Sequence, residues 1–215
     1  PQGEVAAFRG LVFGALERPP TALDELFTDV AMRLGTRGFD GWQYGGRASY
    51  EVACNWKVYV DNYLEGYHVP HIHPTLNAVL DYTDYETTAH AWSSVQASPI
   101  SSGDALYGSG EALYWYIWPN TMLNFLPGRL QTNRVVPLAP DRCRVDFVYY
   151  YDLPAGEALA RFPADHAFSD PVQAEDGGIC EAVQRGLSSG SYSAGRLNPD
   201  RENAVLHVPE LLRRT

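Results

Sequence analysis

The sequence predicts an α+β domain in which helices pack on a curved antiparallel sheet. Three observations carry this. Stretches at 112–118, 121–126, 129–137 and 142–153 read as strands separated by the turn signals Pro119-Asn120, Pro127-Gly128 and Ala139-Pro140-Asp141. In the last stretch Cys143, Val145, Phe147, Tyr149 and Tyr151 alternate with Arg142, Arg144 and Asp146, as in a half-buried antiparallel strand. Segments of helical period lie on both sides of this meander, at 57–68 and after residue 169.

Taken in order, 5–16 reads as a short strand followed by a loop at 17–20. Residues 21–34 form an amphipathic helix with Thr21 as cap and Leu23, Leu26, Phe27, Val30 and Met32 as its apolar residues. A turn at 35–40 leads to a strand at 42–53. In the helix predicted over 57–68, Val60, Leu64 and Tyr67 recur at i, i+4, i+7, and Asp61, Glu65 and His68 form a second stripe beside them. Pro70 and Pro74 end that helix and leave His73 on a rigid extended return. Residues 77–86 are a loop or short helix. Residues 87–97 are a strand on which Ala89, Ala91 and Ser93 face opposite to His90 and Trp92. The Ser-, Gly- and Asp-rich stretch 98–110 reads as a loop and a candidate lid. On 112–118, Tyr114, Tyr116 and Trp118 share one face and Leu113, Trp115 and Ile117 the other; the pattern leaves open which face lines a pocket. Residues 155–168 are helical but interrupted at Pro163, and Ser169-Asp170-Pro171 reads as a new helix start. The chain closes with a loop and a short terminal segment at 195–212.

The chain has 215 residues, 45% apolar and 13% aromatic, enough for one well-packed domain. A formal charge of −10 and a pI near 4.9 argue against nucleic acid or an anionic membrane as partner. No apolar run approaches the roughly 18 residues of a membrane span. Cys54, Cys143 and Cys180 are few, odd in number and widely spaced, which suits a reducing cytoplasm.

The chemistry concentrates in 55–74. A helix end at His68 followed by a stiff return to His73 can hold two imidazole nitrogens around one metal ion. Far downstream, Val172, Asp176, Ile179, Val183 and Leu187 step along one helical stripe. An unpaired carboxylate at Asp176 would be costly there, and a metal would remove that cost. Glu175 is the other carboxylate on this helix, but its direction is rotated by about 100°. Two histidines and a carboxylate suit zinc as well as iron, so ligand types alone do not name the metal. His71, His90, His166 and His207 read as capping or surface residues.

The spacing acid-x-x-His-x-x-x-x-His at Glu65, His68 and His73 resembles the mononuclear iron site of Rieske-type non-haem iron oxygenases. Asn55-Trp56-Lys57, Asp61-Asn62-Tyr63 and the run from Gln173 to Leu187 are also similar to that family. The resemblance implies a helix-grip, START-like fold with a long C-terminal helix. It implies Fe(II) held by His68, His73 and Asp176, with Glu65 as the acid that links the iron to a Rieske cluster of the neighbouring subunit. Asp61 would support Glu65, or serve as a cap or a solvated acid. Electrons from a reductase or ferredoxin would drive O2 activation and substrate oxidation, and the assembly would be a homotrimer. An aromatic compound is the family default as substrate. A quaternary amine is favoured by glutamate at position 65 and by the many Tyr and Trp residues, which could form a cation–π cage.

A Rieske [2Fe-2S] centre needs two Cys and two His, and no Cys here lies in such a pairing. The expectation is therefore a fragment, with residues 1–18 the tail of a Rieske domain and 19–215 the catalytic domain; a natural Rieske-less paralogue is the alternative. Alone, such a fragment would not turn over with NADH and a reductase. Two rivals stand beside this reading: a START-like domain that carries a hydrophobic ligand without redox chemistry, and a zinc hydrolase.

Overall fold

A seven-stranded antiparallel sheet forms the centre of the domain, with strand order β3-β9-β8-β7-β6-β5-β4. The computed structural model describes residues 4–15, 21–35, 38–80, 84–104 and 108–214. Strands β4 (Glu86–Ala89), β5 (Ser93–Asp104), β6 (Gly108–Ile117), β7 (Thr121–Leu126), β8 (Arg129–Ala139) and β9 (Arg142–Tyr151) run as a meander, and β3 (Gln43–Val52) closes the far edge against β9. A separate two-stranded hairpin, β1 (Glu4–Phe8) and β2 (Leu11–Ala15), precedes them.

Alternation along the strands divides the core into two layers. Leu113, Trp115 and Ile117 of β6 pack with α1 (Leu23–Leu26) and α2 (Thr28–Leu34) on one face. Tyr116, with Cys143, Val145, Phe147, Tyr149 and Tyr151 of β9, packs on the other face against α3 (Trp56–Tyr63), α6 (Ala155–Ser188) and α7 (Asn203–Arg214). The cavity lies on this second side and is lined from β6 by Tyr114, while Tyr116 of the same face is packed in the core. All three cysteines are buried and reduced on that side, with the Cys54 and Cys143 sulfurs 3.9 Å apart. No helix among the described residues is long and apolar enough to cross a membrane.

Several elements differ from the sequence reading. The opening strand is a hairpin turned at Arg9-Gly10, both at positive φ. The helix over 21–34 breaks in two at Phe27, and Met32 is 72% exposed rather than part of the apolar face. The strand over 87–97 is two strands joined through 90–92, so the proposed facing of Ala91 and Trp92 does not hold. The candidate lid is mostly hairpin: β5 runs on to Asp104 and pairs with β6, and 105–107 lie outside the described residues. The chain ends in the helix α7, where His207 is 8% exposed, not on the surface.

The largest revision concerns α6, one continuous helix of 34 residues, about 51 Å long. Pro163 and Pro171 lie inside it, and Ser169 is no cap. Each proline frees the carbonyl four residues back, those of Leu159 and Ala167, and both residues are exposed, so water can satisfy them. The inner face is meanwhile held down by Ala158, Asp165, Asp176 and Cys180. Room for it comes from Gly45 and Gly46 beside a bulge in β3. A Cβ on Gly45 would sit 2.9 Å from the Ala158 carbonyl, and one on Gly46 would sit 2.4 Å from the Phe162 ring. The lower end of the predicted apolar stripe is not buried: Val183 is 46% and Leu187 41% exposed.

Candidate metal centre

Asn55 starts α3 as an N-cap, its side chain accepting from the Lys57 N–H. The helix then ends at Tyr63, not at residue 68 as its periodicity predicts. A helix continued through Pro70 would drive the ring into the Gly66 carbonyl. Instead 64–67 turn, and Gly66 passes beneath Tyr85, where a Cβ would stand 2.3 Å from the ring. Two short helical turns follow, α4 (Val69–Ile72) and α5 (Pro74–Asn77). His68 stands at the N-cap of the first, and His73 sits between the two rather than on an extended segment.

This path brings the two imidazoles together, ring centroids 5.1 Å apart and planes at 75°. Asp176 reaches them from α6. Its Oδ1 lies 2.9 Å from His73 Nε2 and 3.7 Å from His68 Nε2. Two donors bound at about 2.0–2.2 Å to one ion sit roughly 3.0–3.6 Å apart, a range that the observed 2.9 and 3.7 Å bracket, so shifts of about 0.1 Å would let the three residues share a cation. The ligand atoms of the three residues all lie within 4.8 Å of one another, the one such group among the described residues.

The other nitrogen of each imidazole is engaged by its own glutamate. Glu65 Oε1 is 2.6 Å from His68 Nδ1 while its Oε2 accepts from the His68 backbone N–H. Glu175 Oε2 is 2.7 Å from His73 Nδ1. Carboxylates so placed fix the tautomer with the proton on Nδ1 and leave Nε2 free to ligate. Burial pulls the His73 imidazolium pKa down, but hydrogen bonds and charge from Asp176 and Glu175 outweigh it, leaving it above the ordinary value. Glu175, the second carboxylate on this helix, thus meets His73 on the ring nitrogen opposite to the one that faces Asp176. Asp61 lines a groove on the outer side together with Glu65, not the inner cavity. Burial raises its pKa to about 7, against the opposing pull of Lys57.

Sequence reasoning missed the residues that hold Asp176. Asn62 Nδ2 donates to Asp176 Oδ1 at 2.7 Å, and Gln173 Nε2 reaches Oδ2 at 3.5 Å. Gln173 is in turn fixed by the Tyr59 hydroxyl at 2.6 Å. The signal was present: Gln173 and Asp176 are three apart on one helix, as are Tyr59 and Asn62.

The centre opens onto a cavity of about 110 Å³ between α3, α6 and the sheet. Tyr59, Tyr63, Tyr85 and Tyr114 line it, and among the described residues no Trp, Arg or Lys does. The expected contribution of Trp to a cage is therefore not found there. The Tyr63 hydroxyl is tied to Asn124 and that of Tyr85 to Gln96, and burial holds the Tyr63 phenol well above its ordinary pKa.

An α+β domain with two histidines and a buried carboxylate converging beside such a cavity defines the class. The model of the ring hydroxylating alpha subunit (catalytic domain) matches residues 39–215, and the chain belongs to that family. It is 38% identical over 189 residues to a chloroplastic choline monooxygenase of Arabidopsis thaliana, covering 85% of this chain and 45% of the relative. It is 26% identical over 213 residues to the carnitine monooxygenase oxygenase subunit of Acinetobacter pittii, covering 94% of this chain and 57% of the relative. The chain thus spans about half the length of these curated relatives. A solved quaternary ammonium Rieske monooxygenase superposes with a TM-score of 0.83 at 23% identity, covering 99% of this chain and 61% of that one, which establishes the fold.

Proposed function

We propose that this chain is the catalytic domain of a Rieske-type monooxygenase that binds Fe(II) through His68, His73 and Asp176 and oxidises a small quaternary or tertiary amine. One observation carries the reading: two imidazole Nε2 atoms converge on one carboxylate oxygen, each imidazole locked from behind by a separate glutamate. When bound, the iron supplies O2 activation with electrons from a Rieske [2Fe-2S] cluster, fed by a reductase or ferredoxin. The chain's own residues do the rest. Glu65 and Glu175 hold protons on the two Nδ1 atoms, while Asn62 and Gln173 fix the carboxylate of Asp176. Tyrosine rings line the cavity.

The amine assignment rests on cavity chemistry and on the choline and carnitine activities named for the relatives. A cavity lined by tyrosines and acids, without an Arg or Lys among the described residues, attracts a cation. That composition favours an ammonium over the aromatic-acid alternative, whose carboxylate would face Asp176 and Glu65. A carrier domain for hydrophobic ligands would have no use for a buried carboxylate aimed at two histidines.

Glu65 lines both the cavity and the outer groove, where Val183, Leu187, Tyr192 and Leu197 leave apolar surface exposed. We assign that groove to the docking of a neighbouring subunit's Rieske domain in a ring-shaped homotrimer, with Glu65 as the bridge. Anaerobic Fe(II) titration, with metal quantified after desalting, tests the centre. One iron per chain, largely lost in Asp176→Ala and His73→Ala, is expected; iron retained in both variants would overturn the assignment.

A further inference from the structure

Six carboxamides line the cavity, and they fall into two groups; in the first, Asn62 donates to Asp176. Gln96 is fully committed, accepting from the Tyr85 hydroxyl and donating to the Tyr63 carbonyl. Asn124 accepts from the Tyr63 hydroxyl, and Gln173 joins Tyr59 to Asp176. Gln131 and Asn133 differ. They are 6% and 3% exposed, and of their side-chain atoms it is the Oδ1 of Asn133 that is enclosed without a hydrogen-bond partner. The two residues are i and i+2 on β8, so they point to the same face, and both line the cavity.

A buried carboxamide without a partner destabilises the fold, and its presence calls for a ligand. An amide offers both a donor and an acceptor. A carboxylate can only accept, and an ammonium N–H can only donate. A hydroxyl does both, and it brings no negative charge to set against the carboxylates of Glu65 and Asp176 that line the same cavity.

We propose that Gln131 and Asn133 form a hydroxyl-binding subsite that sets specificity for an ammonium alcohol over an ammonium carboxylate. The proposal deepens the amine reading given above and rests on it. The roles divide between the two walls: tyrosine rings take the ammonium, and the β8 amides hold and orient the neutral end.

The test measures dissociation constants by calorimetry, anaerobically, on the chain with and without Fe(II). The three probes are choline, ethyltrimethylammonium, which lacks the hydroxyl, and glycine betaine, which replaces it with a carboxylate. Wild type should bind choline at least about tenfold tighter than either analogue. In Asn133→Leu and Gln131→Leu, choline should fall to the level of ethyltrimethylammonium, whose own affinity stays unchanged. Asn133→Thr, which retains a hydroxyl, should keep more of the preference than Asn133→Leu. A choline preference unchanged in both leucine variants would mean that the amides hold only water, and would overturn the subsite. Iron content of the same samples separates the two readings. Wild type that takes up iron but binds none of the three compounds removes the subsite and the amine class while the metal centre stands. Wild type that prefers choline but takes up no iron leaves the subsite and removes the centre.

Discussion

Glu175 and Asp176 are adjacent on α6, yet they act on opposite nitrogens of the same imidazole. That difference predicts two distinct losses. Asp176→Ala removes a ligand and should abolish specific iron. Glu175→Ala removes only the group that orients His73, and should weaken iron binding by roughly 10- to 100-fold without abolishing it. Competition with a chelator of known affinity, run anaerobically on both variants, distinguishes them; equal losses would show that Glu175 is itself a ligand. Which carboxylate faces the two Nε2 atoms was legible in the sequence, because the stripe of Val172 and Asp176 fixes a direction. The contact of Glu65 with His68 is also local, three residues apart, but that of Glu175 with His73 was not legible, since it spans 102 residues and no local pattern encodes it.

Among the elements, α6 shows most clearly what local pattern reading lacks. Pro163 and Pro171 are strong local breakers, and from sequence they divide the helix in two. The structure keeps it whole because β3 presents two glycines on which the helix lies flat, a cause remote in sequence. Gly46→Ala should therefore lower stability by about 3 kcal/mol in urea unfolding, since its Cβ has no room beside Phe162. Pro171→Ala should act the other way. It restores a helical N–H at an exposed position and should raise stability by about 1–3 kcal/mol. A destabilised Pro171→Ala would mean that the proline has a packing role on α6 that its exposure does not reveal. The strands were easier to read. β7 has the predicted bounds and β9 the predicted alternation, because turn residues and period two are local signals. At 57–68 the period was misleading: the apolar spacing continues past Tyr63, but Pro70 acts back on Gly66.

At the scale of the whole domain, Asp61 gives the pH dependence of stability an unusual sign. Its folded-state pKa, pushed up by burial to about 7, exceeds that of an unfolded carboxyl. Below about pH 4 both states hold the proton and nothing is gained or lost. As pH rises toward 7 the unfolded chain releases it first, so stability declines across that window. Asp61→Asn should remove the decline, matching wild type near pH 4 and exceeding it at pH 8 by roughly 1–4 kcal/mol. Chemical unfolding at both pH values measures this, and parallel profiles for the two proteins would show that Asp61 ionises normally.

His73 and Asp176 lie 103 residues apart, with all six strands of the meander between them. An ion joining them closes a loop of that length, much as a long-range disulfide would. Closing a loop grows only slowly more costly with length, so most of that restraint becomes a tax on the unfolded chain. There is also a consequence for the order of events during synthesis. When the ribosome has delivered His68 and His73, the growing chain has two imidazoles but no carboxylate from α6 and no floor of strands. Tight capture of a redox-active metal must wait until β9 is laid down and α6 has emerged. By then the cavity has its walls, so an iron bound by these three residues would arrive after the strands that line it.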